Sequence, residues 1–467
     1  MKMTPGFGAG LVAAATLLSS CGGGDDASVM PDTGKSGYAT QVFVANSASY
    51  SPTLGVVPAL IDAWGVAIRP AGQPGHFWVL AANKSYEYLG DVTGKVGAPC
   101  TAPSALCADL APLPDNTVTF PDFPLDPSTG APDILDDHAT GVVFNSVATN
   151  FIITQTPVAP SANLAPITAG AKFIFVTNYG AIYAWTERKH ADGSGYDRSD
   201  TANKIFDTRA NAADCGQFYG ATVNEDVGRL YVADFGTDTS STCNNPTAIA
   251  NVPRSFRIRV FDKTLNSDGT LVEITHALNG GEAFINPLVG DPNNIKAGDY
   301  VPWNVAAIGS SIFVAYVQVQ QDPSAADGVP FPANEVHGSG AGRIVEFDTD
   351  GKLIAVWNDG GRLNAPWGMA LAPANFGTAS NQLLVGNFGD YDEGGSHGAI
   401  VAFNTTTRSA VDVLRNPDGT PLLVNGIWGI VFGNGDTLGD TNALYYAAGP
   451  NDEIDGLFGV VRQVTSP

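Results

Sequence analysis

The sequence predicts an all-β fold in which small antiparallel sheets stand in a ring, a six-bladed β-propeller. Three observations carry that prediction. One three-part phrase recurs six times along the chain. The composition favours short strands and turns over long helices. A lone β-rich run near the start matches a strand missing at the end.

The composition sets the frame. The chain has 467 residues, of which 54 are Gly and 31 are Pro, while 44% are hydrophobic and only 15% charged. That is enough apolar material for a large core, and the Gly and Pro load points to many short strands joined by turns. Length alone would allow two or three domains, but an all-β ring can run this long as one unit.

The repeat has a constant order. Each unit opens on an aromatic or small residue, usually a Gly, and an apolar run: "AWGVAI", "ATGVVF", "FYGATV", "PWNVAA", "PWGMAL" and "IWGIVF". A second strand follows: "FWVLAAN", "FIFVTN", "RLYVAD", "SIFVAY", "QLLVGN" and "ALYYAA". The third strands are "YEYLG", "AIYAWT", "RIRVFD", "GRIVEFD", "GAIVAFN" and "GVVRQV". Fourth strands are "TVTFP", "KIFDT", "LVEIT", "LIAVW" and "VDVLR", and the sixth unit has none. A single four-stranded sheet cannot bury both faces, whereas six in a ring cover one another. The run "ATQVFVANSA", Ala39 to Ala48, fills the vacancy in the sixth sheet and closes the ring, which removes the open edges.

The N-terminus reads as a targeting segment. Lys2, a short apolar run and then Leu18-Ser19-Ser20-Cys21 resemble a bacterial lipoprotein signal, which implies cleavage before Cys21 and lipidation of its sulfur. The expected organisation is a signal peptide over 1–20, a flexible Gly- and Asp-containing tether over 21–38, and one propeller over 39–467. The absence of Asp after Cys21 favours an outer-membrane or cell-surface destination, with the lipid as the sole membrane contact. Four further cysteines suit an oxidising compartment. Cys215, in the connection entering blade 3, and Cys243, in the second-to-third-strand loop of that blade, fall on one face and are expected to pair. Cys100 and Cys107 would then pair inside the blade 1 insert. A formal net charge of −23 argues against nucleic acid and anionic membrane surfaces as partners. The chain is expected to be a monomer.

In such a ring the turn between second and third strands shares a face with the blade-to-blade connections. Asn83, Asn178, Asp234, Tyr316, Asn387 and Ala448 occupy equivalent places around that mouth, and Trp64, Trp303, Trp367 and Trp428 begin first strands toward it. A ring of carboxamides and carboxylates supplies hard oxygens of the kind Ca²⁺ takes. Asn and Asp also end strands for a purely structural reason, because their side chains bond nearby backbone. Repetition in register with the fold favours the structural reading for the ring as a whole. Acidic surplus in three loops stands apart from the repeat: Asp234 with Asp238, Asp390 with Asp392 and Glu393, and Asp452 with Glu453 and Asp455. Among these, Asp390, Asp392, Glu393, Asp452 and Asp455 are the candidate Ca²⁺ ligands, and Ca²⁺ is the cofactor they suggest. None of the loops has an EF-hand spacing. The six His residues are scattered. "DILDDHATG" sets Asp136 and Asp137 beside His138, a pairing that could do acid–base work, although an exposed loop is the expected setting. No nucleophile elbow or phosphate-cradling loop is present.

The blade phrase resembles NHL-type propellers. "LVGNFGD", "IWGIVFGNG" and "YYAAGPNDEIDGLFG" further resemble an uncharacterised bacterial family of exported NHL-like six-bladed propellers, over residues 39–467. The departures are the blade 1 insert "GAPCTAPSALCADLAPLPDN" and the long stretch before blade 4. The resemblance implies fold and compartment and carries no activity. The expected function is binding of a surface protein, a glycan or a small molecule at an acidic mouth. A Ca²⁺-dependent hydrolase or lyase in the central funnel and a purely structural surface module are the alternatives.

Overall fold

The computed structural model describes residues 36–92, 117–237, 256–321, 333–389 and 398–465, apart from short gaps at 74, 126–127, 135–136, 160, 194, 211–213 and 293. Among the described residues six sheets follow one another around the ring, each running outward from an innermost strand, and two further sheets are two-stranded. The innermost strands are Ala63–Ala67, Ala139–Phe144, Gly216–Asn224, Tyr300–Ile308, Pro366–Leu371 and Ile427–Phe432. Each contacts the next, and the last returns to the first, so the ring is closed. Among the described residues there is no α-helix, and no helix is long and apolar enough to cross a membrane.

The packing follows from the strand period. Successive side chains point to opposite faces, so an apolar run on a middle strand serves two neighbours. In blade 2, Phe173 and Phe175 pack toward blade 1, while Ile174 and Val176 pack toward blade 3. In blade 6, Leu444 and Tyr446 face blade 5, and Tyr445 and Ala447 face blade 1. Among the described residues six hydrophobic clusters lie between neighbouring blades and a seventh lies on the axis.

The ring closes as expected. Ser36–Ala45 runs antiparallel to Leu457–Thr465, from Ser36 opposite Thr465 to Ala45 opposite Leu457. The strand begins at Ser36, so three residues assigned to the tether belong to the sheet. Tyr38 ties it to blade 5, its hydroxyl donating to the Phe376 carbonyl at 2.7 Å and accepting from the Ala379 amide at 3.0 Å. One expected strand is reduced. In blade 3 "LVEIT" forms only the bridge between Glu273 and Phe261, outside a three-stranded sheet.

The Gly of the repeated phrase is set by distance at the axis. A Cβ on Gly429 would stand 2.6 Å from the Trp64 carbonyl oxygen, and one on Gly65 would stand 2.8 Å from that of Thr140. Innermost strands approach so closely there that no side chain fits between them. The exception is Asn304. Its carboxamide occupies the space left opposite by Gly220 and donates to the Trp367 carbonyl at 2.7 Å.

Candidate functional site

The axis at the mouth is filled by aromatic side chains. Trp64 and Trp428 stack with centroids 3.8 Å apart, and Phe388 stacks on Trp428 at the same separation. Trp367 meets Trp64 edge-on at 6.0 Å. Trp303 lies 6.4 Å from Trp64 and is covered by Tyr219, stacked at 4.4 Å. The four indoles are buried, and Tyr219 is half-buried. Offset and edge-to-face pairs of this kind add to the area they bury. The Trp residues therefore lie toward the mouth, as expected, and pack against one another across the axis. Trp367 Nε1 donates to the Tyr219 carbonyl at 3.0 Å. Trp303 Nε1 is buried with no hydrogen-bond partner among the described residues.

Beneath the stacked indoles lies a carboxylate that sequence reasoning missed. Asp62 is fully buried and has a left-handed φ of 44°. Its carboxylate accepts from the indole of Trp64 and, at 3.0 Å, from that of Trp428, and His138 Nδ1 stands 3.2 Å away. Burial and the nearby Glu453 push this carboxyl well above the usual range, and the two indole donors pull the other way. A Cβ on residue 449 would clash with Asp62, so the Gly there makes room for it. The available signal was Asp62 itself, an acidic residue two positions before the first Trp of the repeat. His138 and Asp137 were expected in an exposed loop and are instead buried. Asp137 is 3.6 Å from Arg209.

The candidate ring divides. Asn178 and Asn387 act on backbone. Asn178 Oδ1 accepts from the His138 amide at 2.7 Å, and Asn387 bridges the Asn364 amide and the Arg362 carbonyl at 3.1 and 2.8 Å. Asn83 is half-buried in its turn. Asp234 does not end its strand, which continues to Thr237, and it joins an ion network in blade 3. Arg259 there stands 2.7 Å from Glu273, 2.8 Å from Asp214 and 3.5 Å from Asp234. Burial pushes the Asp234 carboxyl up to about 7 against the pull of Arg259 and Arg257. Tyr316 is a correction. Its strand runs on to Gln321, and its ring is buried in the cluster between blades 3 and 4 rather than at the mouth.

Of the candidate metal ligands, Asp390, Asp392 and Glu393 lie outside the described residues, as do Cys21, Cys100, Cys107, Cys243 and Asp238. Cys215 is disulfide-bonded. Asp452 and Asp455 share a turn in which Asn451, Asp452 and Glu453 all take left-handed φ of 61°, 53° and 63°. Asp455 already accepts from Asn46 at 2.8 Å, Tyr50 at 2.7 Å and Asn451 at 3.1 Å. Among the described residues no group of three or more His, Cys, Asp or Glu is placed to hold a metal ion.

No family model matches the chain. It is similar to uncharacterised proteins of Acanthamoeba polyphaga mimivirus. One is 30% identical over 181 residues, 39% of this chain and 40% of the relative. Another is 32% identical over 179 residues, 38% of this chain and 42% of the relative. The chain thus spans about two fifths of the length of these curated relatives. These findings correct the resemblance to a bacterial NHL-like family, since the matched relatives are viral and no NHL-repeat family is matched. Among solved structures, a luciferin-regenerating enzyme aligns over 86% of this chain and 91% of its own, at 11% identity and a TM-score of 0.38. Chaetomium thermophilum Sqt1, solved bound to the N-terminus of a ribosomal protein, aligns over 92% and 100%, at 10% identity and a TM-score of 0.34. The chain is a six-bladed β-propeller, an architecture suited to an interaction or binding module.

Proposed function

We propose that this is an exported, lipid-anchored propeller that binds a surface protein, a glycan or a small molecule on its mouth face. The observation that carries the reading is the filled axis. Packed indoles occupy the place where a substrate funnel would open, which leaves the loops around the mouth as the binding surface. The Leu18–Cys21 box supplies the anchor and export the compartment, with the acidic loops giving the mouth its charge. Fold alone does not choose among functions, so the choice rests on this geometry.

A second reading, a hydrolase or lyase, is favoured by the Asp62–His138 pair, a buried carboxyl beside an imidazole. Its Ca²⁺-dependent form draws on the acidic loops, of which the Asp390 loop is the part still open. One titration separates the readings. The full chain is titrated with panels of surface proteins, glycans and small molecules, and its tryptophan emission and any turnover are followed. Saturable binding without turnover is expected. Turnover lost in both Asp62→Asn and His138→Gln would replace this reading with the enzyme, and silence toward all three panels would leave a structural module.

A further inference from the structure

On the mouth face, between blades 5 and 6, a cleft of about 960 Å³ lies away from the axis. That is within the size range of small-ligand sites. Tyr50, Asn425, Asn451, Asp452 and Asp455 line its polar side, and Leu423, 40% exposed, stands on its apolar side. The polar groups come from three separate stretches. Tyr50 follows the ring-closing strand, Asn425 precedes the innermost strand of blade 6, and Asn451 to Asp455 form the turn before that blade's third strand.

Two features make this more than a dent in the surface. The turn is held in place: Asp455 is fixed by three side-chain donors, and three consecutive residues are kept left-handed. A run of this kind persists only where surrounding structure enforces it, and such strain gathers at functional sites. The lining is also selective. Among the described residues it contains carboxylates, carboxamides and hydroxyls but no Lys, Arg or His. An anionic ligand would meet these carboxylates with no cation among the described lining residues to receive it. A wholly apolar ligand would strand the polar groups. A ligand with hydroxyls along its edge and C–H groups on its face satisfies both sides.

We infer that this cleft is a binding site for a neutral saccharide, with Asp452 and Asn425 receiving its hydroxyls and Leu423 meeting its C–H face. The inference rests on the binding reading above and gives it a ligand class and a place. Asp455 is spent on its three protein donors, so its role is to hold the turn.

The test is isothermal titration of the full chain with a panel of neutral oligosaccharides, beside sialylated and sulfated ones and a set of basic peptides. Saturable binding of a neutral member is expected, weakened at least tenfold in Asp452→Ala and in Asn425→Ala. Both residues are exposed, so both variants are expected to fold, with unchanged near-ultraviolet circular dichroism as the check. Preference for the anionic sugars or for the peptides would overturn the inference, as would neutral-sugar binding indifferent to both substitutions. A ligand that binds the parent and both cleft variants equally well would overturn the saccharide site and leave the binding reading standing.

Discussion

Closure of the ring is testable at Phe43. This residue is fully buried in the strand that completes blade 6, with ring centroids 6.1 Å from Phe458 and 6.3 Å from Tyr445. It belongs to the cluster joining blade 6 to blade 1, which is where the two ends of the chain meet. Phe43→Ala removes the ring from a site walled by other rings, so collapse around the cavity is limited. The expected cost is about 3–5 kcal/mol, transfer and cavity together. Phe43→Leu keeps most of the volume and should cost less than about 1.5 kcal/mol. The assay is equilibrium urea unfolding of the full chain, followed by indole emission and by far-ultraviolet circular dichroism. Coincident transitions shifted to lower urea, with an unchanged slope, are expected if the ring unfolds as one unit. A loss below about 1 kcal/mol for Phe43→Ala would refute the reasoning, because a fully buried aromatic side chain at a real closure cannot be that cheap to remove. A second transition confined to the variant would show that blade 6 opens separately and that the strand is a local patch.

Three further outcomes follow from the same geometry. Gly429→Ala places a methyl 2.6 Å from the Trp64 carbonyl and 2.8 Å from the Val66 amide, both backbone, and should cost about 1–3 kcal/mol in urea unfolding; unchanged stability would show that the innermost strands can spread. Asp234, raised to about 7 by burial, binds its proton more tightly folded than unfolded, so its contribution is complete below about pH 4 and is lost as pH rises through 7. Asp234→Asn removes that dependence, so its stability relative to the parent should rise by about 4 kcal/mol between pH 4 and pH 8, and a flat difference would refute the assignment. Asp62→Ala leaves two buried indole donors without an acceptor and should cost about 2–5 kcal/mol, whereas Asp62→Asn keeps an acceptor and should cost less; equal losses would mean that the charge, and not hydrogen bonding, holds the indoles.

The architecture was legible because its cause is periodic. Six copies of one phrase report six copies of one contact, and the Gly in the phrase reports the closest approach of backbones. The missing fourth strand was legible for the same reason, since a ring cannot leave an edge open. Asn178 and Asn387 also followed the repeat, and they hold backbone as repeated residues should. Tyr316 misled because its position in the phrase was clear while its strand was not. Blade 4 carries its second strand on to Gln321, where it pairs with Ala333–Glu335, so the residue that ends other strands lies mid-strand there.

The site was less legible because its partners are distant in the chain. Asp62 meets Trp428 across 366 positions, a contact that exists only once blade 6 returns to blade 1. A break in a repeat is therefore an ambiguous sign. Asn304 breaks the phrase and proves structural, since its carboxamide fills the space that Gly220 leaves and bonds the next blade. Asp62 breaks nothing, because it stands just before the phrase begins. The two are separated by charge and burial. A buried neutral amide satisfied by backbone completes a fold, whereas a buried carboxyl held by two indoles, an imidazole and the field of a second carboxylate is costly to keep. That cost makes Asp62, at the seam where the ring closes, the residue on which the enzyme reading is tested apart from the mouth loops.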